Sequence, residues 1–237
     1  MKPYEIALEI AGPTAMWTRV DTGDAPMSYE APTFQAAKQI FESILWLRSA
    51  EVIPWRCEIC SPIVKHRYYT NYNGPLRKGA EKPLGAETAG AHQLIATVLV
   101  NVRYKLHAFV ISDHHAKREL SEQAKKWVDD PRICGGHAYQ DRFGFRLKHG
   151  QWHHTPFLGW KEFTPSELGP VRDDTQCDES VNGISLPSLL HRTFARGQFT
   201  RYKPQIRTHV MIEKGRLDYF SKETVDAMQK GDFSHVE

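Results

Sequence analysis

Tyr4, Ile6, Leu8 and Ile10 alternate with Glu5, Ala7 and Glu9, the two-residue period of a strand with one buried face. That strand is predicted to stop at Gly12-Pro13, and the period then changes. Phe34, Ala37, Phe41, Ile44 and Leu45 recur at helical spacing. Pro32 pre-sets the backbone for a helix start and the Thr33 hydroxyl can cap free amides, so a helix is predicted from 33 to about 47. Residues 52–64 read as a second strand interrupted by Pro54 and Pro62. The longest strand is predicted at 94–112, with Val100, Val102, Tyr104, Leu106, Ala108 and Val110 on one face. Asn101, Arg103, Lys105, His107 and Phe109 fall on the other.

Residues 65–92 are rich in Gly, Asn, Pro and charge and predict an extended loop or exposed hairpin. A short helix is predicted at 117–128 through Leu120, Ala124 and Trp127, and a weaker one at about 138–148. Beyond Gly169-Pro170 an acidic linker through Glu179 leads into a β-rich tail, with a hairpin at 208–213 and 217–220 around Lys214-Gly215. This order predicts an α+β protein: a ferredoxin-like or RRM-type unit over 1–165 with a protruding loop or hairpin, and a small antiparallel β region over 166–237.

A chain of 237 residues, 41% hydrophobic and 25% charged, can bury a good core, which excludes disorder throughout. No apolar run approaches the roughly 20 residues that span a bilayer, and no signal peptide is visible, so a cytoplasmic protein without a membrane partner is expected. Four cysteines are too few for a disulfide framework at this length and read as buried thiols in a reducing compartment. Cys57-Glu58-Ile59-Cys60 has zinc-type spacing, but no second such pair exists and a strand would send the two thiols to opposite faces. The adjacent pairs His114-His115 and His153-His154 suit no tetrahedral site. No metal and no cofactor is expected.

A net charge of +3 discriminates little; its distribution discriminates more. Residues 180–212 contain no Asp or Glu, while Arg192, Arg196, Arg201, Lys203 and Arg207 are interleaved with Phe194, Phe199 and Tyr202. Residues 142–161 and 61–80 are likewise acid-free and hold cations among aromatic rings. Cations neutralise phosphates and flat rings accept unstacked bases, so the mixture suits single-stranded nucleic acid. The plainer alternative is solvated loops. The candidate RNA contacts are Trp17, Arg19, Tyr29, Lys38, Lys65, His66, Arg67, Arg146, Lys148, His149, Trp160 and Lys161. Against them stand Trp17 as a loop anchor, Tyr29 as packing, and Lys161 paired with Glu162.

Three blocks carry a family resemblance. The run from Ser28-Tyr29-Glu30-Ala31-Pro32-Thr33 to Ile44-Leu45-Trp46 is similar to the Ser-Tyr-x-x-Pro-Thr-x-x-Ala and Ile-x-Trp signature of the Cas-five family of CRISPR-associated proteins, type I-C branch. Phe157-Leu158-Gly159-Trp160-Lys161-Glu162 resembles its Phe-Leu-Gly-x-Arg-Glu segment, and Val210-Met211 with Gly215 resembles its C-terminal hairpin. The resemblance implies a Cascade subunit that holds the 5′ handle of CRISPR RNA. The implied partners are crRNA or its precursor, a Cas-seven-type backbone subunit and a Cas-eight-type large subunit, with double-stranded DNA left open. The 65–92 excursion would be a thumb reaching the backbone subunit.

The resemblance also implies metal-independent cleavage of precursor repeats by 2′-hydroxyl attack, which needs a base, an acid and positive charge near the phosphate. The branch's Tyr before the Trp is Leu45 here. Its Lys on the Val-x-Tyr-x-x-Lys strand matches His107, and its nearby His falls on Ala108 or Phe109. The catalytic expectation is therefore His107 as acid or base with Lys105 and Arg103 on the phosphate, because alternation places all three on one strand face. A processing endoribonuclease, an inert RNA-capping scaffold and a general RNA-binding module outside CRISPR immunity remain the three readings.

Overall fold

In the computed structural model the described residues are 2–23, 25–72, 92–112, 121–128, 134–194 and 202–234. His114-His115, most of the 65–92 excursion and the basic stretch around Arg196 and Arg201 lie outside them.

The alternation at the N-terminus becomes β1 (Tyr4–Ala15), which runs antiparallel to β4 (His92–Ser112) in the register Ile6↔Ala108, Leu8↔Leu106 and Ile10↔Tyr104. Partners across an antiparallel pair share a face, so these six side chains form one apolar surface, all of it buried. Helix α3 (Gly135–Lys148) packs on this surface, and α1 (Phe34–Ile44) lies beside it against the next strand of the sheet. Gly136 sits against Tyr4 and the Val110 carbonyl, where a Cβ would come within 2.7 Å of the Tyr4 ring.

The helix predicted at 33–47 starts where Thr33 was expected to cap it: the Thr33 Oγ1 accepts the Ala36 amide at 3.2 Å. Such a cap contributes about 1 kcal/mol. The helix stops at Ile44, short of 47, because the last carbonyls find tertiary donors. Arg146 Nη1 donates to the Ile44 carbonyl at 2.8 Å and the Tyr139 hydroxyl to the Leu45 carbonyl at 2.5 Å.

The single strand expected at 52–64 is two strands, β2 (Ala50–Ile59) and β3 (Val64–Tyr72), separated by a turn holding Pro62. Both pair with β4 in tandem: β3 with 92–100 and β2 with 104–112. Between the two halves Asn101 adopts φ 54°, a left-handed conformation that asparagine tolerates. It breaks the constant faces expected for β4, so that Leu99 is buried along with Ala96 and Val98. Pro54, lacking an N–H, marks a register shift in β2.

The expected 117–128 helix appears as α2 (Glu122–Val128), and the weaker 138–148 helix begins three residues early as α3. The tail builds β5 (Glu167–Gly169), β6 (Ile184–Phe194), β7 (Tyr202–Glu213) and β8 (Arg216–Asp218). Lys214 and Gly215, at φ 48° and 73°, form the predicted two-residue turn between β7 and β8. Helix α4 (Lys222–Gln229) was not anticipated, although Ser221 caps it and Val225 and Met228 bury one side. The result is one eight-stranded antiparallel sheet in the order β5-β1-β4-β2-β8-β7-β6, with β3 beside β4 off that path. Residues after 166 thus extend the first unit's sheet at both ends.

Candidate nucleic-acid interface

Arg103, Lys105 and His107 project from one face of β4, as alternation predicts, on the side away from α1 and α3. The register places Glu9 and Glu58 opposite Lys105 on the neighbouring strands. The chain at 170–178 crosses this face as a strap, tied by a buried carboxylate. Glu9 accepts from Arg103 Nη1 at 2.6 Å, from Arg172 Nη2 at 2.8 Å, from the Arg172 amide at 3.1 Å and from Thr175 Oγ1 at 2.9 Å. Arg103 also holds Glu167 at 2.9 Å. Lys105, 8% exposed, donates to the carbonyls of Arg172 at 2.9 Å and Thr175 at 2.6 Å.

This corrects the phosphate role expected for Arg103 and Lys105. Both cations are spent on internal acceptors, and Lys105 is covered by the strap. Burial alone would raise the Glu9 pKa, but the Arg172 amide, Arg103, Thr175 and the Arg172 guanidinium outweigh it and hold the carboxyl below its ordinary range. A carboxyl depressed in the fold adds stability above its unfolded pKa and loses it as pH falls through the folded one. Acidification below the ordinary 4.5 is therefore expected to free the strap. Hydrogen exchange of the 170–178 amides should quicken there before that of β1 and β4, and uniform protection down to global unfolding would refute the latch.

His107 has a different neighbourhood. Its Nε2 lies 3.8 Å from Glu58 Oε2, beyond hydrogen-bond reach, and is buried without a partner. The other Glu58 oxygen is 3.6 Å from Arg216 Nε, and the Trp55 ring stands 5.7 Å from the imidazole. His107 first, then Arg216 and Lys105, keep the Glu58 carboxyl below its usual pKa against the opposing effect of burial. Sequence reasoning missed Glu58 and Arg216, because only the β2–β4 and β2–β8 registers bring them beside His107. Leu45, in the branch's tyrosine position, is 5% exposed. The hydroxyl on its carbonyl belongs to Tyr139, whose pKa burial drives up, so this tyrosine is no substitute proton donor.

On the helical side, two RNA contacts expected from sequence are core residues. Trp17 is 2% exposed and donates through Nε1 to the Tyr104 hydroxyl at 3.3 Å; Tyr29 is fully buried beneath the Arg19 guanidinium, 5.4 Å from its ring. Neither ring can stack on a base in this fold, a correction whose cause is packing: the loop anchor outcompetes the ligand. Lys38 is paired with Glu51 at 3.2 Å and Glu42 at 3.8 Å, Lys65 with Glu30 at 2.7 Å, and Arg19 with Asp21 at 2.9 Å. His66, Arg67, Lys148, His149 and Lys161 are exposed.

Several of these residues lie on segments that meet in two places. One surrounds Trp160, whose Nε1 donates to Thr18 Oγ1 at 3.1 Å and whose ring stacks on Phe163 and meets the edge of Tyr68 on β3; Arg19, Lys65 and Lys161 lie on these same segments. The other stands at the end of α3, where Arg146 reaches the Ile44 carbonyl and His149 stacks on Phe145 at 4.2 Å. The 153–160 loop joins them. Its His153 and His154 amides donate to the Ser43 carbonyl at 2.8 and 3.0 Å, and its Leu158 carbonyl accepts from Met16 at 2.8 Å. Gly159, at φ 93°, lets the loop touch Met16: a Cβ there would lie 1.8 Å from the Met16 carbonyl oxygen. All four cysteines are free, and of the buried thiols expected only Cys57 is buried; Cys60 and Cys177 are half-buried and Cys134 is exposed.

The fold defines a mixed α/β protein built on an antiparallel sheet. Among the described residues no helix is long and apolar enough to cross a membrane. The chain belongs to the Cas5 family of CRISPR-associated proteins, whose Cas5d model matches residues 5–236. It is 27% identical over 228 residues, covering 90% of each chain, to the CRISPR pre-crRNA endoribonuclease Cas5d of Thermus thermophilus. Solved structures share the fold. A CRISPR-associated protein matches with TM-score 0.62 at 14% identity, over 94% of this chain and 95% of that one. A functionally uncharacterized Streptococcus mutans protein matches with TM-score 0.63 at 16% identity, over 94% and 96%. A chain of a CRISPR RNA-guided surveillance complex matches with TM-score 0.51 at 12% identity, over 91% of each.

Proposed function

We propose that this protein is the crRNA-binding subunit of a type I-C-like Cascade complex, which holds the 5′ handle and cleaves precursor repeats without a metal. The family match across residues 5–236 carries the proposal. Strands β5-β1-β4-β2 with α1 and α3 have the β-α-β-β-α-β order of a ferredoxin-like unit, a fold suited to RNA. The hairpin of β3 and the start of β4 is the arm toward a Cas-seven-type backbone subunit, a Cas-eight-type subunit is the other neighbour, and the complex works in the cytoplasm.

In the cleavage step the 2′-oxygen bonds to phosphorus, the bond to the 5′-oxygen breaks, and the proton lost from the 2′-hydroxyl is balanced by one gained by the leaving oxygen. The upstream fragment ends in a 2′,3′-cyclic phosphate. His107 is the acid or base, Glu58 stands 3.8 Å from its Nε2 as a charge partner for the protonated ring, and Arg216, 40% exposed at its side chain, faces the phosphate. Labelled repeat RNA incubated in EDTA should be cut at one phosphate and yield that cyclic end. RNA bound but left whole would favour the scaffold reading, for which Leu45 and the internally bonded Arg103 and Lys105 already speak. Affinity should fall with salt at about 0.7 log units per phosphate contact per log unit of salt.

A further inference from the structure

Where the first two signature blocks meet on the helical side lies a cavity of about 430 Å³ that the cleavage step does not employ. This volume is within the roughly 300–1,000 Å³ of small-ligand sites. Trp17 and Ser43 line its inner side, Phe157 and His154 supply rings from the loop, and Gln39 and Glu42 supply polar groups from the outer turns of α1. The Phe157 ring is 37% exposed, whereas the Trp17 ring is sealed in the core.

We infer that this cavity receives one unstacked nucleobase of the RNA handle, with guanine as the best match. The inference rests on the RNA-binding reading above and adds a base-reading subsite to it. A carboxylate in the lining repels phosphate, so the backbone belongs on the flanks and a base edge inside. On one flank Thr18 and Trp160 are hydrogen-bonded beside lining residues Trp17 and Gly159, with Lys161 next in sequence. On the other, Arg146 is bonded to Ile44, the neighbour of lining residue Ser43. Phosphates on either side of an inserted base would thus meet cations.

The lining also selects among bases. An ionised carboxylate accepts only, and guanine presents two adjacent donors, N1–H and the 2-amino group, to satisfy both oxygens. The Gln39 amide can donate to O6. Burial raises the Glu42 pKa, partly offset by Lys38, so this carboxylate is short of solvent and receptive to such donors. The Phe157 and His154 rings supply faces for stacking.

The test walks a single abasic site through the unpaired 5′ handle of a synthetic repeat RNA and measures affinity at constant salt. One position, a guanine, should lose roughly 5- to 150-fold, the span of ring–base stacking. Phe157→Ala should abolish the penalty at that position and leave the others unchanged. Replacing this guanine by inosine, which lacks only the 2-amino group, should weaken wild-type binding severalfold and leave Glu42→Ala indifferent. Both variants alter partly exposed side chains, and unchanged thermal melting confirms that they fold. A flat abasic scan on RNA that still binds, or a penalty that survives both variants, overturns the pocket while sparing the parent reading. Sensitivity at a different base overturns the guanine assignment. Failure of the wild type to bind repeat RNA at all removes the parent reading and the pocket with it.

Discussion

Gly159→Ala should destabilise the protein by about 2–6 kcal/mol, the largest effect expected of any single methyl group in the described chain. Two costs combine. A non-glycine residue at φ 93° is strained by roughly 1–3 kcal/mol, and a Cβ placed 1.8 Å from the Met16 carbonyl oxygen must push two backbone segments apart, at a further 1–3 kcal/mol. The neighbouring atoms are main chain, so no side-chain rotation relieves the clash. Separation would break the hydrogen bond from Met16 to Leu158 and release the loop that joins the two cationic groups. Chemical denaturation should show a lower midpoint at an unchanged slope, and RNA affinity should fall with it. Gly144→Ala is the control: this helical glycine has open space around its Cβ position and an ordinary φ, so alanine should stabilise by up to about 1 kcal/mol. Equal stability of Gly159→Ala and the wild type would mean that the loop is not pinned on Met16.

His107→Ala should reduce cleavage of repeat RNA by roughly 100- to 10,000-fold, the usual contribution of a positioned acid or base, while affinity stays within about twofold. Among the described residues on this face of β4, the imidazole is the titratable group with a nitrogen, Nε2, buried without a hydrogen-bond partner, so that nitrogen is uncommitted to structure. Arg103 and Lys105 are committed. Lys105→Ala strips donors from the Arg172 and Thr175 carbonyls, and its effect should appear as faster exchange in the strap and lower stability, with slower cutting only as a consequence. Glu58→Gln should retain binding and slow cleavage by less than His107→Ala, because Glu58 acts on the imidazole only through its charge at 3.8 Å and reacts with nothing. Wild-type cutting by His107→Ala would remove it from the chemistry and leave the scaffold reading.

How far the sequence reached can be judged at particular residues. Alternation in β1 and helical spacing in α1 were legible because each side chain's face follows from local geometry alone, and so were the Thr33 cap and the Lys214-Gly215 turn. Trp17 and Tyr29 were misjudged because an aromatic residue near a basic stretch has the same composition signature whether it stacks on a base or fills a core. Arg103 and Lys105 were correctly placed on one face yet wrongly freed for phosphate. Their acceptors, Glu9 and the carbonyls at 172 and 175, come from strands and a strap that sequence spacing does not relate to β4.

The sequence by itself determined the strand and helix periods, the cap, the turn and the family blocks, since each depends on residues within a few positions of one another. Tertiary structure alone decided which cations keep their charge available, which rings are sealed, where the pairing of β4 changes from β3 to β2, and that a cavity lies between two basic groups. Those properties depend on register and burial, and a shift of one residue in a strand would reverse every one of the faces involved.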